Sequence, residues 1–335
     1  MPVLVTGATG FLGGRLAQIL SAGGETVRIL ARPGRDLSHL DGTGVEVIAG
    51  DLADIGALKR AADGAGVIYH CAACSSDWAP RSVFVEANVT GVRNLLDAAA
   101  SNRKLRRFVH VSTTDVYGYP EVPCDETHPM RDAHLPYNST KISGERLVWD
   151  ASREGMPATV VRPATIYGPR GTVFAAEIAR HIRLGSMALI GGGRAAGGFC
   201  YVDNVVDAML AAARSRAAEG EAYNVSDGTG GTWREYVDAL ADGLGFRRPW
   251  MDIPTPVAFA LARGMEAGWS ILGVRQRPLL TRHATYLFSR NQEFPNAKAR
   301  RDLGFVPAVS FEEGIRRTVQ WLRNQLQFLK QAVSI

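Results

Sequence analysis

The sequence predicts an α/β fold, a doubly wound parallel sheet with a smaller C-terminal substrate-binding region. Three observations carry that expectation. Short β-branched runs alternate with amphipathic helical stretches through the N-terminal half; a glycine-rich turn joins the first run to the first helix; and the alternation returns once after an irregular break. Strands separated by whole helices are joined by right-handed crossovers, which build a parallel sheet with helices on both faces.

The elements follow in order. "VLVTG" is an apolar strand running into a turn, and "RLAQILSAG" is the helix behind it. "TVRILAR" and "GVEVIAGDL" are the next two strands, followed by the helix "IGALKRAADG". "GVIYHCA" is a strand, "NVTGVRNLLDAAAS" a helix, "RFVHVST" a strand, "YNSTK" the start of a helix and "ATVVRPA" another strand. Beyond "VRPATIYGPRG" the pattern breaks at "IGGGRAAGG", then resumes as the strand-like "FCYVD", the helix "NVVDAMLAAARS" and the strand "AYNVSD". Residues 1–168 with 199–228 are therefore expected to form the doubly wound domain, and 169–198 with 229–335 a smaller second domain.

Composition narrows the class. With 335 residues and 46% hydrophobic content, the chain can bury a substantial core in one large or two modest domains. The 38 Lys+Arg and 33 Asp+Glu leave a net charge of +5, scattered in short clusters, which reads as a solvated surface and not as a nucleic-acid footprint. Four cysteines do not make a disulfide framework in a chain of this length. Cys71 and Cys74 have redox-motif spacing, but no second Cys/His pair accompanies them as a zinc site requires, so no metal is expected. Because "MPVLVTG" is already a strand with its turn, a cytoplasmic protein is expected. The longest apolar segment, Pro256 to Gly273, is interrupted by Arg263 and Glu266 and is too short and polar to span a bilayer. It suits a cap over an apolar pocket, a core-facing helix, or a peripheral membrane contact.

The first turn points to a ligand. Gly7, Gly10 and Gly13 lie between strand and helix, where a pyrophosphate meets bare backbone and the helix N-terminal N–H groups. The second strand ends at Arg32, with Arg35 close by, where an NAD-preferring fold offers a carboxylate to the ribose hydroxyls. A guanidinium pairs well with a 2′-phosphate, so NADP(H) is favoured and NAD(H) is the alternative. Asp51, before Leu52, is placed to bond the adenine amino group, to cap the helix beginning near Ile55, or to do both.

"YNSTK" then gains a meaning. Residues four apart share a helix face, so Lys141 comes up beside Tyr137. A neighbouring ammonium favours the phenolate, which makes Tyr137 a candidate general acid/base, and Lys141 can also hold the nicotinamide ribose.

In order, Gly7, Gly10, Gly13, "GDL", "HCAA", "NVTGVRNLL", "VSTTDVYG", "YNSTK", "VRPATIYGPR" and "FCYVDNVVDA" resemble the extended short-chain dehydrogenase/reductase (NAD-dependent epimerase/dehydratase) family over nearly the full length. The resemblance implies a Rossmann fold and a catalytic triad of Thr113, Tyr137 and Lys141, with Ser112 as the neighbour to test in place of Thr113. It implies cofactor contacts from Gly7, Gly10, Phe11, Leu12, Gly13, Arg32, Asp51, Leu52, Ala72, Tyr137, Lys141 and Pro163. Asn88 matches a helix asparagine of structural role. A homodimer through the helices near Asn88 and Tyr137 is implied as well.

Within the family, sugar-nucleotide enzymes commonly carry an arginine two residues before the aromatic of "FCYVD", where this chain has Gly197. They also often have an "RPGD"-like segment that this chain lacks. The C-terminal stretch from "RPLLTRHATYLF" is similar to 3β-hydroxysteroid dehydrogenase-like enzymes and β-keto-acid reductases. The resemblance therefore implies hydride transfer between nicotinamide and a secondary alcohol or ketone of an apolar substrate, with Phe259 and Trp269 suited to the pocket. The alternative is a nucleotide-sugar epimerase or dehydratase that recycles its NAD. Asp115 is expected to cap its loop, since Thr114 occupies the adjacent acid position.

Overall fold

The computed structural model describes residues 1–228 and 231–332, with side chains described through Gln325. In chain order the first half comprises β1 (Val3–Thr6), α1 (Phe11–Ala22), β2 (Val27–Ala31), β3 (Glu46–Ala49), α2 (Ile55–Ala62), β4 (Val67–His70), α3 (Arg81–Val85), α4 (Gly91–Ala100), β5 (Arg107–Val111), α5 (Pro136–Arg153) and β6 (Ala158–Pro163). Then come β7 (Thr165–Tyr167), α6 (Ile178–Arg183), β8 (Ala188–Ile190), β9 (Phe199–Tyr201), α7 (Val202–Arg214) and β10 (Ala222–Val225). The chain closes with α8 (Trp233–Leu244), β11 (Met251–Ile253), α9 (Thr255–Ile271), α10 (Arg282–Ser289), α11 (Ala297–Leu303) and α12 (Phe311–Ala332).

Seven strands form one parallel sheet in the order β10-β6-β5-β4-β1-β2-β3. Central strands are apolar on both faces because helices cover both: β1 is buried at all four positions. One core layer joins Val5, Leu16, Ile29, Val205 and Met209 beneath α1 and α7. The other joins Leu4, Leu58, Ile68, Leu95 and Phe108 beneath α2, α4 and α5. The sheet is thus the doubly wound architecture the alternation predicts. Strand order reverses between β1 and β4, and a ligand crevice opens at the carboxyl ends of strands there. The turns after β1, β4 and β5 all end at that crevice.

Several elements went unread in the sequence. The helix expected from Asn88 begins at Arg81, behind Pro80 at its N-cap, and passes through a π-turn at Glu86–Thr90 into α4. β7, paired with β9, lies within "VRPATIYGPRG", and β8, paired with β11, lies in the irregular stretch beyond it; each has three residues, too few to show a period. The expected domain boundary at Thr229 lies outside the described residues.

Candidate active site

The first turn is built around glycines that nothing larger can replace. Gly7 has φ +75°, and a Cβ there would sit 2.6 Å from the Ala72 backbone nitrogen; a Cβ on Gly13 would sit 2.5 Å from the Gly7 carbonyl oxygen. Strand β1, the turn after β4 and α1 are therefore in backbone contact. The N-cap of α1 is Gly10, which offers no side-chain cap, and the first turn carries no acid. Its N–H groups are left for an anion, as a pyrophosphate requires. Phe11 and Leu12, half-buried, open this helix. The residues present fit a dinucleotide.

Arg32 stands exposed directly after β2. Asp51 is exposed past β3, and its Oδ1 accepts from the backbone N–H of Ala53 (2.9 Å) and Asp54 (3.2 Å). The cap of α2 is Asp54, which accepts from Ala57 at 2.9 Å, so Asp51 is not that helix's N-cap. The Leu52 carbonyl is tied to α4 by Asn94 at 2.8 Å, and Pro163 is buried at the end of β6. Ala72 donates its N–H to the Thr6 hydroxyl at 3.3 Å, which fixes the turn over the glycines.

The second part of the site is α5. Pro136 takes its first turn, where a missing N–H costs nothing, and sets Tyr137 and Lys141 on one face. Tyr137 is half-buried and Lys141 buried. Thr113 caps the short turn Thr114–Tyr117, its hydroxyl accepting from the Asp115 N–H at 3.2 Å. Ser112 is buried with no partner for its hydroxyl among the described residues. Asn88 clamps the loop after β4 to α5: it accepts from the Cys74 N–H at 2.8 Å and donates to the Cys74 carbonyl and the Thr140 hydroxyl, both at 3.1 Å.

Electrostatics correct one expectation. Burial raises Tyr137 above the ordinary phenol range and the Asp115 carboxylate adds to this, while a hydrogen bond with Thr113 acts in the opposite sense. Lys141 does not dominate Tyr137, because its ammonium donates to the Val111 carbonyl at 2.8 Å, and burial pushes it down to about 8 against the support of Glu145. Glu145, one turn further along α5, is wholly buried and paired with Arg162, which also donates to Tyr117 at 2.7 Å. Burial at this site therefore favours the neutral phenol of Tyr137.

Asp115 is also corrected. Its side chain does not cap the loop; Oδ2 accepts from the Tyr119 hydroxyl at 2.8 Å and pairs with His283 Nε2 at 2.9 Å. The His283 ring then stacks on Tyr137, with centroids 5.5 Å apart and planes 24° apart. His283 was missed because it lies 146 positions after Tyr137 in "TRHATYLF", where nothing local distinguishes it. Tyr137 and His283 face a cleft of about 680 Å³ whose walls include Trp78, Phe84, Leu135 and Trp269. Two ion pairs brace it, Arg277 with Asp77 and Arg282 with Glu266. Phe259, expected in the pocket, packs edge-on against Tyr286 instead. The core-facing alternative for its helix fails as well, since only Ala258 and Ala262 of α9 are buried.

Comparison with known proteins identifies the family. A family model for the NAD dependent epimerase/dehydratase family matches residues 3–226. A 4-hydroxy-2-methyl-3-oxo-4-farnesyl-3,4-dihydroquinoline-1-oxide ketoreductase of Stigmatella aurantiaca is 35% identical over 94% of this chain and 95% of its own length. A 2-alkyl-3-oxoalkanoate reductase of Stenotrophomonas maltophilia is 32% identical over 95% and 98%. Among solved structures, that of gox2253 superimposes with a TM-score of 0.81 at 27% identity, covering 96% of this chain and 98% of its own. The chain belongs to the NAD-dependent epimerase/dehydratase family of extended short-chain dehydrogenases/reductases and is an oxidoreductase.

Proposed function

We propose that the protein reduces a ketone on an apolar substrate to the secondary alcohol, with NADP(H) preferred to NAD(H). The observation that carries this reading is Tyr137, stacked on His283 and facing a cleft walled by Trp78, Phe84 and Trp269. A nicotinamide dinucleotide bound on the glycine turn would supply the hydride. Thr113 holds the carbonyl oxygen by its hydroxyl, and Tyr137 donates its proton to that oxygen as negative charge develops there. Lys141 would hold the ribose and offset the charge left on the phenolate. The stacked His283, tethered by Asp115, holds the Tyr137 ring in one orientation.

Two further features support the reading. The two relatives above are named for a farnesyl-bearing 3-oxo-dihydroquinoline-1-oxide and a 2-alkyl-3-oxoalkanoate, each an oxo compound with a hydrocarbon substituent. Gly197 leaves no room for a diphosphate-binding arginine, since even a Cβ there would lie 2.2 Å from the Phe199 ring. NADP(H) is preferred in this account because Arg32 is exposed where a 2′-phosphate would lie. The division into two domains at 168/169, 198/199 and 228/229, and a homodimer formed through α4 and α5, belong to the same proposal. The α4–α5 groove carries Arg93 and Asp97 beside the Arg153–Asp150 ion pair, a face of mixed charge that does not repel a second copy.

The test is stoichiometry. Purified protein, reduced dinucleotide and an apolar ketone are mixed, and nicotinamide absorbance is followed beside product. One dinucleotide oxidised per alcohol formed is expected. Substrate conversion with no net change in dinucleotide would replace this reading with the recycled-NAD epimerase or dehydratase.

A further inference from the structure

Helix α9 presents an apolar face that no other described residue covers. Val257 and Leu261 are 47% and 43% exposed, and Ile271 and Leu272 at its C-terminal end are 84% and 74% exposed. Ala260, Gly264 and Ala267 continue the same face at helical spacing, and a Cβ built on Gly264 or Gly268 meets nothing. The loop that follows adds Leu279, 68% exposed. This end of α9 is also the rim of the substrate cleft, which Arg263, Trp269, Ser270, Val274 and Arg275 line.

Charge selects the occupant. Between Thr255 and Arg282 the sole acid is Glu266, already bonded to Arg282, and Arg277 is bonded to Asp77. Arg263 and Arg275 are exposed and have no carboxylate partner among the described residues. A second copy meeting this face across a two-fold axis would bring the same arginines together with no free acid between them. An anionic lipid surface supplies phosphates to the arginines and an acyl boundary to Ile271, Leu272 and Leu279.

We propose that the exposed face of α9 and the loop through Leu279 dock on an anionic phospholipid bilayer, opening the cleft onto the membrane surface. The inference rests on the apolar-substrate reading: a ketone dissolved in the bilayer would enter past Trp269 without crossing water.

Flotation of the full chain with vesicles of phosphatidylcholine, with and without phosphatidylglycerol, tests it. The protein is expected to float with the anionic vesicles, to be released as salt rises, and to lose affinity about tenfold or more when Ile271→Asp and Leu272→Asp are combined, since two apolar anchors become charged. The double variant is expected to keep wild-type turnover of a short, water-soluble ketone, because neither residue lines the cleft. Absence of flotation on either vesicle, or equal flotation of the double variant, overturns the proposal. A wild-type dimer that the double variant breaks, with neither form floating, assigns the face to a second copy and overturns it too. Failure of the wild type to turn over the soluble ketone would instead count against the functional reading, whatever the flotation result.

Discussion

Lys141→Met is expected to abolish activity and yet stabilise the folded chain. Lys141 is buried, and its ammonium stands at about 8 against an ordinary 10.5, first because of burial, with Glu145 and Cys71 offsetting part of the loss. A drop of that size corresponds to about 3 kcal/mol of unfavourable charge burial. The penalty is present in full below pH 8, where the ammonium is charged in both folded and unfolded chains. It fades as pH rises to 10.5, because the folded chain gives up the proton first, and is gone above that. Methionine matches the stem without the charge but loses the bond to the Val111 carbonyl, at a cost of about 1 kcal/mol. The net gain at pH 7 is about 2 kcal/mol, or roughly 3 °C in Tm for a chain of this size. Urea unfolding of dinucleotide-free wild type and variant at pH 7 and pH 10.5 measures it. The gap should be present at pH 7 and absent or reversed at pH 10.5. A variant less stable than wild type at pH 7, or a gap equal at both pH values, refutes the reasoning.

Gly13→Ala puts a methyl 2.5 Å from the Gly7 carbonyl oxygen, so the turn must open: dinucleotide affinity should fall about 100-fold by calorimetry, and stability in urea should fall as well, by about 1–3 kcal/mol of overpacking. Arg32→Asp should reverse the cofactor preference, lowering NADPH affinity roughly tenfold or more while NADH affinity holds or improves; competition titration reads both. His283→Ala removes the ring stacked on Tyr137 and one partner of Asp115, so kcat should fall about 10–100-fold with dinucleotide affinity unchanged.

The fold was legible because its signals are local. β1, buried on both faces, must read as a continuous apolar run, and the glycines of its turn answer to backbone contacts that allow no side chain. Tyr137 and Lys141 were legible because helical spacing alone sets them on one face. What was hidden depends on contacts between residues far apart in the chain. Asp115 and His283 are 168 positions apart and meet only when α10 packs over the crevice. The direction of the shift at Tyr137 depends on how deeply the ring is covered, which no spacing encodes, and an ammonium that lies near in sequence can spend its charge on a carbonyl. Phe259 points toward Tyr286 and not into the cleft because α9 lies on the surface with its two buried alanines inward.

The central claim is that Tyr137 gives the proton, and Tyr137→Phe tests it most directly. Single-turnover reduction of an apolar ketone is followed in wild type and variant, with dinucleotide affinity measured on the same samples. The account predicts that reduction falls by at least about 100-fold while affinity stays within about twofold of wild type. Reduction at the wild-type rate in the phenylalanine variant would contradict it.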